Sequence, residues 1–398
     1  MDILFIIFLS LAIITILAVV DFYLGRKAHI NASNRLMLPP EKGDWDFYSE
    51  GTTFFKQLFE DLKRAESFIY VQFYIVRDDP IGQELFQILK KKASEGVTVF
   101  LVVDAVGSHQ LPKKVVEHLR TSGVQVYEIE KPKFPFFFYS LNRRNHRKIS
   151  VIDGHYAYIG GYNVGVEYLG KDPKFGHWRD YHLRLHGKVV AHFHKLIHWE
   201  LQQATKQTVE LSFPEVQDQG TDDFGLLATN GEHIEDFFLK KISEAKQSIF
   251  IGSPYFIPGR KITQALKAAC QNGVKVQILI PLRADHPFVK EAAIPFLLPL
   301  LHAGAEIYRY YPGFYHAKVF MIDKRFCDIG TANFDKRSFY LNNEVNCLFT
   351  SEKLIESIRK VVDFDLRQSE QLTLPDLTKR SLLERTKGLF ANTISRFL

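Results

Sequence analysis

His146, Lys148, Asp153, Gly160 and Asn163 stand at offsets 0, +2, +7, +14 and +17, and the same five types recur at the same offsets in His316, Lys318, Asp323, Gly330 and Asn333. With each type at roughly 5% usage, one such match arises by chance on the order of once in a few million start points. Two of them in a chain of 398 residues mark a duplicated functional unit rather than ordinary core or surface histidines. The residue types suit a phosphate diester. Each copy offers an imidazole able to attack phosphorus or move a proton, one fixed cation and one neutral amide donor. A diester carries a single negative charge on two non-bridging oxygens, and displacing one of its alcohols needs two proton-handling groups. Two copies facing each other would complete the set. Thr331 stands where the first copy has Gly161, so one side carries an extra hydroxyl.

Each motif opens a run rich in Ile, Val and Phe, which reads as a strand with alternating faces. Residues two apart share a face, which puts His146 beside Lys148 and His316 beside Lys318. Asp153 and Asp323 fall at an odd offset past the strand end, and Asp153-Gly154 is a good hairpin dipeptide. Both Asp residues therefore suit fixing a turn better than touching substrate. Returning strands at 156–159 and 326–329 would bring the Gly and Asn positions back beside the His–Lys face. A nucleophilic imidazole also wants a carboxylate on its other nitrogen, and Asp180 and Glu344 are the candidates.

Further upstream the pattern predicts helix 52–66, strand 68–76, helix 81–94 and strand 97–103. The same order returns as helix 234–245, strand 248–253, helix 261–270 and strand 274–280, with Glu95-Gly96-Val97 and Asn272-Gly273-Val274 at matching joints. The repeat is 170 residues long, the offset from His146 to His316. Alternating helices and strands argue for an α/β fold: two α/β sandwich domains, 47–208 and 209–372, related by a pseudo-twofold axis and sharing one active site. The polar stretch 203–223 is the natural boundary between them.

Composition sets the surroundings. A 46% hydrophobic, 24% charged chain supports a substantial core, and a net charge of +6 fits anionic partners. Three scattered cysteines fit a reduced compartment and supply neither a disulfide framework nor a zinc knuckle. Residues 3–20 are apolar except for Ser10 and Thr15, long enough to cross a bilayer core. Arg26 and Lys27 follow this run and Asp2 precedes it, the reverse of a signal peptide. Residues 1–25 therefore read as a single-pass cell-membrane anchor, with the catalytic domains in the cytoplasm. Residues 26–46, with Pro39-Pro40, read as a linker.

Residues 373–398 place Leu382, Leu383, Leu389, Phe390, Ile394, Phe397 and Leu398 among Lys379, Arg380, Arg385, Lys387 and Arg396. This basic amphipathic segment suits either an anionic membrane surface or packing on the body. The aromatic runs 134–139 and 308–315 precede the two motifs and suit either loops at the mouth of the site or core strands. His194 and His198, with His192 nearby, have metal-ligand spacing but no intervening Glu, which disfavours a metal site.

The duplicated H-x-K-x4-D-x6-G-[GST]-x-N pattern resembles the phospholipase D superfamily, and within it the bacterial cardiolipin synthases of the shorter, minor, single-anchor form. The similarity runs from about residue 50 to 370 and takes in His177-Trp178-Arg179-Asp180, Ser253-Pro254-Tyr255-Phe256-Ile257-Pro258 and Asn342-Asn343-Glu344-Val345-Asn346. The resemblance implies a catalytic set of His146, Lys148, Asp153, His316, Lys318 and Asp323. His146 would form a covalent phosphohistidine and His316 would serve as acid and base. Lys148, Lys318, Asn163, Asn333 and Thr331 would hold the phosphate oxygens, and no metal or other cofactor is required. It further implies phosphatidyl transfer between two molecules of phosphatidylglycerol, an anionic lipid held in the membrane. A phospholipase D-type hydrolase or an endonuclease is the alternative. An endonuclease would want an open basic groove, and no dense Lys/Arg run lies near either motif, so no nucleic acid partner is expected. A catalytically dead scaffold is at odds with two intact His–Lys–Asp sets.

Overall fold

The structure is a computed structural model that describes residues 2–31, 35–205, 211, 213, 220–379, 382–393 and 395. Its local elements follow from the apolar pattern. Phe54, Phe55, Leu58, Phe59 and Leu62 recur at helical spacing and form the buried face of the helix Gly51–Arg64. All six residues of the next element, Phe68–Phe73, are buried, as expected for a strand covered on both faces. Asp79 starts the helix Pro80–Ser94 by accepting hydrogen bonds from the amides of Ile81 and Gly82, with Pro80 at the first helical position.

The two halves build sheets of matching order. In the first half the strands run Leu36–Glu50, His177–His186, Tyr156–Gly160, Ile149–Ile152, Phe68–Phe73, Thr98–Asp104 and Gln125–Ile129. In the second they run Asp222–Asn230, Asn343–Phe349, Phe326–Gly330, Val319–Ile322, Ser248–Gly252, Lys275–Pro281 and Glu306–Tyr310. The leading strands of the two sets, Leu36–Glu50 and Asp222–Asn230, pair antiparallel. One continuous sheet therefore passes through both halves, with the pseudo-twofold between its central strands. One apolar cluster spans the two halves, and each half has a second cluster of its own on the other face.

The linker expected at 26–46 is corrected by this arrangement. Its first residues complete the N-terminal helix Asp2–Ile30, and from Leu36 onward it is the strand that joins the sheets. The Pro39-Pro40 pair that suggested a linker sits where the pairing register shifts, between Leu38 and Glu41. Proline has no N–H to give a ladder, so the strand tolerates the pair at an irregularity. Most of the expected boundary at 203–223 (206–210, 212 and 214–219) lies outside the described residues, and a strand begins at Asp222.

Among the described residues one helix, Ile3–Ile30, is long and apolar enough to cross a membrane. It runs past the anchor boundary expected at residue 25, and its last turns dock on the α/β body. The Tyr139 amide donates to Asp21 at 3.0 Å, the Arg26 guanidinium lies 5.1 Å from the Tyr340 ring centre, and His29 Nε2 meets the Asn230 carbonyl at 2.8 Å. Gly25 permits this approach, since a Cβ there would fall 2.5 Å from that of Tyr139. At the other end, the helix Leu382–Thr393 packs on the helix Val289–His302, burying Ala391 and setting Phe390 edge-on to Phe288. Leu389 stays exposed. The side chains of Arg380, Leu382, Leu383, Arg385, Ile394, Arg396, Phe397 and Leu398 lie outside the described residues.

Candidate active site

The motif strands are Ile149–Ile152 and Val319–Ile322, each beginning one residue after its Lys. The expectation that His and Lys ride on these strands is therefore corrected: they lie in the extended lead-in. The reason is in the backbone pairing. The His146 amide donates to the Asn343 carbonyl at 2.9 Å, and the His316 amide to the Arg179 carbonyl at 2.7 Å. Each lead-in thus pairs with a strand of the opposite half instead of its own sheet, which delivers both histidines to the interface.

The carboxylates cross over in the same way. His146 Nδ1 lies 3.0 Å from Glu344 Oε2, and His316 Nδ1 lies 2.5 Å from Asp180 Oδ2. Each imidazole of one half is held by an acid of the other. An ionised carboxylate only accepts, so each Nδ1 facing one must supply a proton. Both acids are fully buried. Burial alone would raise the Glu344 carboxyl, but His146 and Thr331 hold it below its ordinary value; for Asp180, Lys318 and His316 likewise overcome the effect of burial. The imidazoles are 8% and 7% exposed, and burial brings each down to about 4. The carboxylate opposes that shift in both cases, while Lys148 adds to it at His146 and Lys318 at His316.

Both lysines are buried and turn back onto their own histidines. Lys148 Nζ donates to the His146 carbonyl at 2.7 Å, and Lys318 Nζ to the His316 carbonyl. Lys318 Nζ also lies 2.7 Å from His316 Nδ1. Burial and the neighbouring Lys318 hold the Lys148 ammonium well below its ordinary value; burial, opposed by Asp180 and Glu344, brings Lys318 to about 8. Lys318 Nζ also lies 3.8 Å from Asp180 Oδ2 of the other half. Asn163 accepts from the Ile75 amide through Oδ1 at 3.1 Å, which leaves its amide nitrogen as the donor. Asn333 is oriented oppositely: its Nδ2 donates to Asp335 Oδ2 at 3.2 Å, and its buried Oδ1 has no partner.

Three sequence assignments change. Thr331 does not line the cavity. Its hydroxyl donates to Glu344 Oε2 at 2.6 Å and accepts from the Val345 amide at 3.0 Å, so it supports the carboxylate instead of the phosphate. Asp153 and Asp323 stand at hairpin turns outside the site. Asp153 accepts from the amides of Glu66, Ser67 and Phe68, and Asp323 from those of Lys246, Gln247 and Ser248. They pin the entry of each half's first buried strand, as their offset in the motif suggested.

Both histidines line one cavity of about 570 Å³ together with Asn163 and Asn333. Its first-half wall carries Arg77, Lys174, Phe175 and Trp178, and its second-half wall Tyr255, Asp285, Asp335 and Asn342. Trp178 packs 5.0 Å from the His316 ring, and Tyr74 meets the His146 ring edge-on at the same separation. Sequence reasoning missed Tyr74, Asp285 and Asp335, which carry no repeated spacing, whereas Trp178, Tyr255 and Asn342 lie inside stretches already singled out. It also missed Arg147, the intervening residue of the first motif. Arg147 is fully buried, pairs with Glu200, and donates to the Glu344 and Thr229 carbonyls at 3.1 and 2.8 Å, tying the halves together behind the site.

The other candidates are absorbed by packing. His194 stacks on Phe213 and meets the Gly154 carbonyl at 3.2 Å, and His192 Nε2 meets the Pro39 carbonyl at 2.7 Å. In the second aromatic run Tyr310, Phe314 and Tyr315 are core residues, Phe314 backing Trp178 and His316. In the first, Tyr139 packs against the N-terminal helix while Phe134 is exposed. Neither run lines the cavity.

Comparison with known proteins gives the same reading. A family model described as the PLD-like domain of cardiolipin synthase matches residues 58–172 and 238–365. The chain is 37% identical to the minor cardiolipin synthase ClsB of Bacillus subtilis (strain 168), covering all of both chains. It is 39% identical to cardiolipin synthase 2 of Staphylococcus epidermidis (strain ATCC 12228), over 89% of this chain and 74% of that one. Among solved structures, the phosphatidylserine synthase of Haemophilus influenzae Rd KW20 superposes with a TM-score of 0.69 over 91% of this chain and 97% of its own, at 15% identity, a likeness of fold. With two motif copies, crossed histidine–carboxylate couples and one cavity between the halves, the chain belongs to the PLD-like cardiolipin synthase family.

Proposed function

We propose that this chain is a membrane-anchored cardiolipin synthase that transfers a phosphatidyl group between two phosphatidylglycerol molecules. The observation that carries the reading is the crossed pair of imidazoles, each from one half and each held by a buried acid of the other, lining a single cavity. With its Nδ1 proton donated to Glu344, His146 has the Nε2 lone pair free to attack phosphorus. The bond from phosphorus to the glycerol oxygen breaks, and His316 supplies the proton that glycerol takes away. The anionic diester favours the protonated form of that second ring while it is bound. In the return step the headgroup hydroxyl of a second phosphatidylglycerol gives its proton to His316. Its oxygen attacks phosphorus, the phosphorus–nitrogen bond breaks, and His146 is restored. Splitting the transfer this way replaces one difficult displacement by two easier ones. Lys148, Lys318 and Asn163 offset the charge that builds on five-coordinate phosphorus.

The N-terminal helix keeps the enzyme where both lipids reside, and Arg26 and Lys27 after the apolar run favour a cytoplasmic catalytic body at the cell membrane. The test uses the purified full-length protein in phosphatidylglycerol vesicles without nucleotide. Cardiolipin and glycerol in equal amounts is the expected outcome; phosphatidic acid as the main product would overturn the reading in favour of hydrolysis.

A further inference from the structure

The two walls of the cavity differ in what they can bind. The first-half wall offers donors and cations: Asn163 through its amide nitrogen, Lys174, and Arg77, which pairs with Glu167 of the same wall at 3.4 Å. The second-half wall is rich in acceptors. Tyr255 donates its hydroxyl to Asp285 Oδ2 at 2.5 Å, and Asp285 Oδ1 is buried without a partner. Asn333 commits its nitrogen to Asp335, and Asn342 commits its own to Glu344 Oε1 at 3.3 Å. Because a carboxylate oxygen only accepts, both amide orientations are fixed, and both amides keep a buried oxygen without a partner. Asn333 and Asn342 are 4% and 5% exposed, so water does little to satisfy them. His286 stands 3.6 Å from Asp285 but is largely exposed, and Arg337 on the same wall donates to the Asn142 carbonyl.

Unpaired buried acceptors are costly, and a ligand that brings hydroxyl donors relieves that cost. A phosphate diester brings none, and two carboxylates repel it. A glycerol headgroup is neutral and carries two hydroxyls close together.

Resting on the proposed transferase reading, we infer that Asp285, Tyr255, Asn333 and Asn342 form a polyol subsite that recognises the glycerol headgroup and selects it over water and simple alcohols. The subsite explains why an anionic lipid meets a carboxylate-bearing wall: the phosphate lies toward the donors of the first half, and the diol reaches across to the acceptors of the second. Asp285 acts as a specificity residue; its carboxylate takes no part in the bond changes at phosphorus.

The test is a competition within one reaction. Full-length protein in phosphatidylglycerol vesicles receives isotopically labelled glycerol and 1-propanol in equal amounts, and labelled phosphatidylglycerol is compared with phosphatidylpropanol. This ratio does not depend on how much of a variant is folded. Wild type should favour glycerol by about tenfold or more, Asp285→Ala should lose most of that preference, and Asp285→Asn, whose carbonyl still accepts, should keep more of it. An unchanged ratio in Asp285→Ala, or no preference in the wild type, overturns the subsite while leaving the transferase reading intact. Phosphatidic acid alone from the wild type would sink both.

Discussion

The two histidines are held by the same plan with different parts. His146 leans on Glu344, whose oxygens also receive the Thr331 hydroxyl and the Asn342 amide, so the acid's charge is shared among three donors. His316 leans on Asp180, one methylene shorter and at 2.5 Å; Asp180 also accepts from the Tyr181 amide at 2.8 Å, and Lys318 Nζ lies beside the same ring nitrogen. At the position of Thr331 the first half has Gly161, where a Cβ would fall 2.0 Å from Asp180 Oδ1. The second half fills with a hydroxyl the space that the first half gives to a carboxylate. What this teaches is that duplication preserved the roles while the supports diverged. A ring whose Nδ1 donates to a shared, diffuse charge suits attack through Nε2. A ring held by the shorter contact suits holding and releasing a proton, because the closer carboxylate favours the imidazolium more strongly.

Replacing the carboxylates should have the largest effect on this contrast. Glu344→Gln and Asp180→Asn should each lower turnover by about 10²- to 10⁴-fold while leaving the fold intact, read by steady-state rates and far-UV circular dichroism. A variant of either acid with near-normal turnover would break the crossed-couple account. Exchanging the supports should separate the halves next. Gly161→Thr must displace Asp180 and should cost about a hundredfold in kcat, whereas Thr331→Gly removes one of three donors to Glu344 and should cost about tenfold or less. Equal losses would mean that the two positions are interchangeable after all.

The smallest effect on chemistry should come from the motif residues that sound most catalytic. Asp153→Ala and Asp323→Ala should lower unfolding free energy by about 1–3 kcal/mol in urea melts, with the rate per folded molecule preserved. Burial would raise both carboxyls, but the backbone amides each accepts hold them below their ordinary value. The sign follows: their contribution is complete above the unfolded-chain pKa of about 4 and fades as pH falls through the lowered folded values. Comparing melts at pH 7 and pH 3 should therefore show the variants converging on wild type in acid.

The repeat, the order of helices and strands in each half, and the motif histidines, lysines and asparagines were legible because spacing and apolar periodicity are local properties. Asp180 and Glu344 could be named from their types and nearby motifs. Which histidine each serves could not, because the partners lie 136 and 198 positions away and the crossing exists only once the halves dock. The same limit hid Arg147, a residue without repeated spacing whose partners come from three other segments. It also hid the bridging role of Leu36–Glu50, whose prolines suggest a break when the strand it pairs with is unseen. An extra hydroxyl at Thr331, where the first copy has Gly161, suggests a phosphate ligand when only the motif is in view; in the fold that hydroxyl goes to Glu344.

The central claim is that one phosphorus atom is worked on by a histidine from each half, with His146 making the covalent bond. An acyl-labelled phosphatidyl ester of p-nitrophenol needs no proton for departure, so it isolates that step. His316→Ala should release about one equivalent of nitrophenol per enzyme and retain the label on His146, while His146→Ala releases none. A burst from His146→Ala with the label on His316 would contradict the assignment, and independent steady turnover by both variants would contradict the shared site itself.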